Sequence, residues 1–171
     1  IRDKIETLLE AHYRETFEKW LETERIVCTP YFRLRPSIHP ATYTDIYARS
    51  LYTAEDGDMN KLEQKLVVEL TALPNVRWWH RNIAKQDFAI NGFIKHYPDI
   101  LIMTKSGKLI CAETKGDHLK NDDSREKIAL GQAWRTAAGK DFRYYMVFEN
   151  EENLLPGAVS MSQFIDTVKA L

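Results

Sequence analysis

The stretch YPDILIMTKSGKLICAETKGD, residues 97–117, decides how the chain folds. Residues 100–103 are a continuous apolar run with β-branched content, and residues 109–112 are a second. Thr104-Lys105-Ser106-Gly107 between them has the composition of a turn, so the stretch reads as two short strands joined tightly. Side chains alternate along a strand, which puts Glu113 and Lys115 on one face. A hairpin centred near Ser106 sets Asp99 opposite Glu113; a slip of one residue sets it opposite Thr114 instead. In either register two carboxylates and an ammonium gather at one end of a buried hairpin.

Charge in that position is costly unless something uses it. Two neighbouring acids raise each other's pKa or recruit a cation, and a hard divalent ion bound by oxygens is the usual solution. Asp99, Glu113 and the backbone carbonyl of Thr114 would hold Mg²⁺, making a bound water more acidic and aiming it at phosphorus. Lys115 beside them would orient that water or stabilise charge developing in the transition state. These residues suggest metal-assisted hydrolysis of a phosphodiester.

Composition bounds the rest. With 171 residues, 44% hydrophobic and 29% charged, the chain suits a single domain with a sizeable core. A net charge of −1 excludes a global basic field, so any nucleic-acid surface must be local. The cysteines, Cys28 and Cys111, lack metal-binding spacing, and Cys111 reads as a core residue of an apolar strand. A reduced, cytoplasmic setting follows, with no signal peptide and no membrane-spanning run. The first residue is Ile1 rather than methionine, as expected of a piece of something larger.

Along the chain, residues 1–24 place Ile5, Leu8, Leu9, Tyr13, Phe17, Trp20 and Leu21 at three- and four-residue intervals, an amphipathic helix expected to pack on the core. Residues 26–29 read as a short strand, and Pro30, Pro36 and Pro40 as an extended connection. Nothing in residues 1–55 carries recognisable chemistry, so they read as an N-terminal helix and linker packing on a domain of residues 56–171. Residues 54–58 are a polar break, with Asp58 the expected N-cap of a helix over 59–73. Glu63 falls inside that helix's apolar stripe with Leu66, Val67 and Leu70, and Glu69 lies toward its edge. A buried glutamate needs a partner, although a carboxylate at a helix start also suits the helix dipole.

Residues 76–80 read as a strand leading to Arg81 and Asn82, weak candidates for phosphate contacts. Trp78 and Trp79 are expected as one half-buried and one core ring rather than a base-stacking pair. A hairpin is expected over residues 88–96, turning at Asn91-Gly92. A loop over 116–123 leads to a helix over 124–138, with Ile128, Ala129, Ala133, Trp134 and Ala137 facing the core. Lys120, Arg125, Lys127 and Arg135 form a local basic set near the hairpin, as readily a solvated face as a DNA contact. Residues 142–148 are a strand and 161–171 a closing helix. The order predicts an α/β fold: a small mixed central β-sheet flanked by helices, with an N-terminal helical extension.

The set Glu63, Pro98-Asp99 and Glu113-Thr114-Lys115 resembles the PD-(D/E)xK nuclease superfamily. More narrowly, MNKLE (59–63), WWHRN (78–82), YPDILI (97–102) and AETKG (112–116), with the later lysine-bearing helix, are similar to the C-terminal endonuclease domain of the restriction subunit of type III restriction enzymes. The likeness covers about residues 55–150. It implies a restriction-endonuclease-like core and a Mg²⁺-dependent DNA endonuclease, with Mn²⁺ able to substitute. Asp99 and Glu113 would be metal ligands, Lys115 the water-positioning cation and Glu63 an accessory acid.

In that family ATP serves a helicase segment of the same polypeptide, and a methyltransferase subunit recognises the DNA. No GxxxxGK[ST] motif occurs in these residues, so ATP hydrolysis is not expected of them. Gln132 is followed four residues later by Thr136, where some superfamily members carry tyrosine. One cutting centre severs one strand of double-stranded DNA, so a double-strand break would need a second nuclease copy or a second visit. A repair or recombination nuclease of the same superfamily, and a catalytically silent DNA-binding or assembly module, remain alternatives.

Overall fold

The computed structural model describes residues 2–171. The elements in chain order are α1 (Arg2–Glu22), α2 (Lys61–Ala72), β1 (Val76–Arg81), β2 (Ile90–Asn91), β3 (Lys95–His96), β4 (Ile100–Thr104) and β5 (Leu109–Lys115). There follow α3 (Asp122–Ala138), β6 (Phe142–Phe148), β7 (Val159–Ser160) and α4 (Met161–Lys169). Five strands form one mixed sheet in the order β1-β4-β5-β6-β7, and β2 and β3 make a separate ribbon. The fold is α/β, a mixed five-stranded sheet flanked by helices and preceded by an N-terminal helix.

The hairpin forms where the apolar runs place it. β4 and β5 pair antiparallel with Ile100 opposite Ala112 and Leu101 opposite Cys111. The turn between them ends on Gly107, whose φ of 86° is left-handed backbone that favours glycine. β5 then pairs parallel with β6, a geometry that needs a long crossover, and α3 supplies it. Because both faces of the sheet are covered, its central strands are apolar on both sides. Ile100, Ile102, Ile110 and Ala112 face a core closed by α2 and α4. Leu101, Cys111, Tyr144 and Met146 face a second core closed by α3 and the β2–β3 ribbon.

On α2 the stripe of Leu66, Val67 and Leu70 is fully buried, each side chain worth roughly 1.5–3 kcal/mol in hydrophobic transfer. Its N-cap is Asn60 rather than Asp58. Asn60 accepts from the backbone amides of Leu62 and Glu63 while Glu63 reaches back to the Asn60 amide, a reciprocal capping box. Asp58 has Lys61 three residues on and cannot form one. Trp79 is buried and Trp78 half-buried, as expected of a strand covered unequally.

Besides the N-cap, four expectations are corrected. The stripe of α1 does not pack on the core: Ile5, Leu8 and Tyr13 are 52%, 63% and 59% exposed. Only the C-terminal end docks, through Phe17 edge-on to Phe93 at 5.6 Å and Leu21 in the cleft beside it. Nearer the core the surface is covered by α3 and by residues 26–34, whose Phe32 and Tyr31 lie edge-on to Phe88 and Phe142. Ile1, included in the expected helix, lies outside the described residues. Residues 26–29 form no strand: they line a cleft with Phe17, Ile90, Leu130 and Trp134, away from either edge of the five-stranded sheet. The outer edge of β1 is occupied by residues 49–51, where Trp79 donates to the Arg49 carbonyl and Leu51 to that of Trp79.

The ribbon turns through residues 92–94, one position late, with the Gly92 amide donating to the Ile94 carbonyl. A side chain at residue 92 would meet Leu130, which is why glycine stands there. On α3 the residues buried against the sheet are Ser124, Ile128, Leu130, Gly131 and Trp134, while Ala137 is exposed. Among the described residues no helix is long and apolar enough to cross a membrane.

Gly131 lets α3 approach β6: a methyl there would collide with the ring of the fully buried Tyr144. Gly131→Ala should therefore lower stability by about 1–3 kcal/mol in urea denaturation, as overpacking does. An unchanged midpoint would show that the ring has room to move.

Candidate active site

The antiparallel register resolves the alternative left open by the sequence. With Ile100 opposite Ala112, the same pairing continued by one residue sets Asp99 opposite Glu113, and the slipped register does not occur. Pro98 precedes the strand, and its carbonyl accepts from Asn82 Nδ2 at 2.7 Å. The Asp99 carbonyl accepts from the Asn82 amide at 2.9 Å and from Arg81 Nη1 at 3.0 Å. The end of the strand is pinned through its backbone, independently of the Asp99 side chain.

Asp99 Oδ2 accepts from the Thr114 amide at 2.7 Å and from Thr114 Oγ1 at 2.9 Å, locking the carboxylate against β5. Asp99 Oδ1 lies 3.8 Å from Arg81 Nη1. Glu113 is 3% exposed. Its Oε1 is 2.8 Å from Lys115 Nζ and 3.8 Å from Lys127 Nζ, and Lys127 is held at 2.9 Å by Asp123. Its Oε2 is buried with no hydrogen-bond partner, 3.9 Å from His96 Nε2. The His96 ring nitrogen instead meets the Tyr144 hydroxyl at 3.0 Å.

Electrostatics follow from that geometry. Burial, then the nearby charge of Asp99, pushes Glu113 from 4.5 up to about 7, against the pull of Lys115 and Lys127. Burial works against the Lys115 ammonium, but Glu113 and Asp99 outweigh it and raise its pKa. Glu63 is likewise raised to about 7, first by burial and then by Asp99, although Arg81 opposes this. Burial, with Lys127 and Lys115, drives His96 down to about 3, so it is a neutral ring.

The sequence-derived residues separate into two groups. Asp99, Glu113, Thr114 and Lys115 converge, with Lys127 reaching the same carboxylate. Glu63 joins through Arg81, whose Nη2 lies 3.3 Å from Glu63 Oε2 while Nη1 holds the Asp99 carbonyl. Asn82 is close by but 1% exposed, its amide bonded to the Phe88 and Pro98 carbonyls, which makes it a clamp on the backbone. Lys120 turns to the Glu152 carbonyl at 2.5 Å and lies over the Phe148 ring. Arg125 is exposed and paired with Asp122 at 2.8 Å. Asp123, His96 and Tyr144 were not anticipated; a histidine two residues before Pro98, on a short strand, was the one legible signal among them.

The acceptors that Asp99 and Glu113 present are oxygens, which suits a hard cation. Among the described residues no three His, Cys, Asp or Glu side chains form a ready-made metal cage. Two carboxylates and a backbone carbonyl are nevertheless a fitting set for Mg²⁺, which keeps several of its waters. The unpartnered Oε2 of Glu113 is the specific fit: a buried acceptor lacking a donor accommodates a proton or a cation.

Raised carboxyl pKa values set the sign of a pH effect. Folded Glu113 and Glu63 keep protons that the unfolded chain releases, so their contribution is present at low pH and lost as pH rises from 4.5 through about 7. The metal-free protein should lose melting temperature between about pH 5 and 7.5, and Glu113→Gln should flatten that decline. Parallel curves for wild type and variant would refute the buried-carboxylate account. No family model, no curated protein and no solved structure matches this chain.

Proposed function

We propose that the chain is a Mg²⁺-dependent DNA endonuclease, the cleavage domain of a type III restriction-like subunit acting on double-stranded DNA in the cytoplasm. The observation that carries the reading is Glu113: Oε1 is bonded to Lys115, Oε2 is buried and unpartnered, and Asp99 is its opposite number. Structural ion pairs do not leave half of a buried carboxylate empty, because the desolvated oxygen then has nothing to offset its cost.

Mg²⁺, or Mn²⁺ in its place, would supply Lewis acidity toward a water and the phosphate when held by Asp99, Glu113 and the Thr114 carbonyl. The residues themselves do the positioning. Thr114 fixes Asp99 in one rotamer through two hydrogen bonds. Lys115 lies where an ammonium can orient the attacking water and offset charge gathering on phosphate oxygens. Lys127 adds a second positive charge at the same carboxylate, and Arg81 ties Glu63 to the end of the Asp99 strand. Hydrolysis at such a centre breaks one phosphorus–oxygen bond and leaves a nick. A second copy of the domain would account for a double-strand break. A helicase segment and a methyltransferase subunit are the partners this reading carries with it, the first consuming ATP.

Supercoiled plasmid with Mg²⁺ tests this. Nicked circles should form, and Asp99→Ala or Glu113→Gln should slow them by at least about a hundredfold. Lys115→Ala should abolish cleavage while calorimetry still detects metal binding. Mg²⁺-dependent nicking that survives Asp99→Ala would defeat the assignment. Loss of metal binding in Lys115→Ala would move lysine from the chemistry to the metal site.

A further inference from the structure

Behind the cluster lies a second set of buried charges. His80 is 0% exposed, and both ring nitrogens face carboxylates: Nδ1 is 2.7 Å from Glu55 Oε2 and Nε2 is 3.2 Å from Asp87 Oδ2. A carboxylate oxygen only accepts, so with both acids ionised each ring nitrogen donates and the ring is an imidazolium. Arg35 grips Asp87 with Nε at 2.8 Å and Nη2 at 3.1 Å, and the Tyr52 ring stands edge-on to His80. The backbone is drawn in as well. Ile83 N donates to Asp87 Oδ2, Tyr52 N to Glu55 Oε1, and Arg81 N to Glu55 Oε2.

That last bond joins the two clusters. Arg81 is the residue whose guanidinium spans Glu63 and the Asp99 carbonyl. Its backbone amide shares one Glu55 oxygen with His80.

We infer that Glu55, His80 and Asp87 form a positioning unit for the cleavage centre, acting through Arg81 on Glu63 and on the Asp99 strand end. It deepens the nuclease reading and rests on it for the activity. Loss of one His80 proton removes the ring's charge and one of its two donors, leaving Glu55 and Asp87 as neighbouring buried carboxylates with Arg35 as the remaining cation of the unit, so that the Arg81 amide is left holding a less compensated Glu55. Arg81 shifts, and Glu63 loses part of the charge that holds its pKa down. The direction of the His80 equilibrium agrees: burial opposes the charged ring, but hydrogen bonds to Asp87 and Glu55 prevail and raise its pKa.

The test is ¹³C carboxyl NMR on the whole chain, with the Glu63 resonance assigned by Glu63→Gln. In the wild type the Glu63 curve should carry a second inflection at the pH where the His80 ring loses its proton. Glu55→Gln should erase that inflection and raise the midpoint of Glu63 by roughly half a pH unit or more. In the nicking assay the same variant should lose about tenfold in kcat with KM nearly unchanged, the pattern of misplacement rather than lost DNA binding. A single inflection in the wild type overturns the inference, and needs no variant to fold. An unchanged kcat in a folded Glu55→Gln protein overturns it too. Wild-type protein that never nicks DNA defeats the nuclease reading instead, and the Glu63 curve alone then decides the coupling.

Discussion

The pairing of β4 with β5 is the constraint on which the other features depend. Strand register is a discrete choice: a shift by one residue would send every side chain of β5 to the opposite face. With Ile100 opposite Ala112, the apolar residues of both strands fall into the two cores, and Glu113 is carried into a buried position by the same alternation. The chain cannot expose Glu113 without surrendering the packing of Cys111 and Ala112, which precede it and fill opposite cores. The buried carboxylate is a consequence of the sheet, and the lysines are arranged around it.

Glu63 shows how one side chain serves two levels of structure. Its oxygens complete the capping box at the start of α2 and also meet Arg81. The cap fixes where the helix begins, hence where Glu63 points; Arg81 then joins that helix to β1 and to the end of β4. Arg81 thus joins three elements at one guanidinium, and a longer or shorter α2 would leave it holding two. Its Nε is buried without a partner, a cost tolerated for the placement of the other two nitrogens.

Local pattern made most of the fold legible. The strands at 100–104, 109–115 and 142–148, together with α2, α3 and α4, follow from apolar runs and helical spacing that are satisfied within each element. The centre of the candidate site was legible for the same reason, since Asp99, Glu113 and Lys115 belong to one hairpin. Failures came where an outcome depended on what else occupies a surface. The stripe of α1 has helical periodicity, but periodicity says that a face is apolar, not which surface is free to receive it. Residues 26–29 have strand composition, but they lie over a cleft beside Phe17, Leu130 and Trp134, away from either edge of the five-stranded sheet. Lys127 and Arg125, two positions apart on α3, looked alike as charges; helix geometry sends one to Glu113 and the other to solvent.

The hidden charges at Glu55, His80 and Asp87 mark the limit of such reading. They come from a loop, a strand and a turn, 25 and 7 residues apart, and no window of sequence brings them together. A polar residue in an otherwise apolar stretch was ambiguous at each position separately, and only the fold makes them one network. Burying the charges of Glu55, His80 and Asp87 beside a half-buried Arg35 is expensive, and removal of any one leaves the others uncompensated, so such a network is a weak device for stability alone. It does impose a single geometry. Arg35 and Glu55 attach the N-terminal segment to β1 and to the turn after it by ion pairs that apolar packing could not orient so narrowly. A chain cut at residue 55 would leave His80 with one carboxylate and free the Arg81 amide, at the residue that spans Glu63 and the Asp99 strand. The segment before residue 56 is thereby bound to the geometry of the cluster, although it contributes no atom to it.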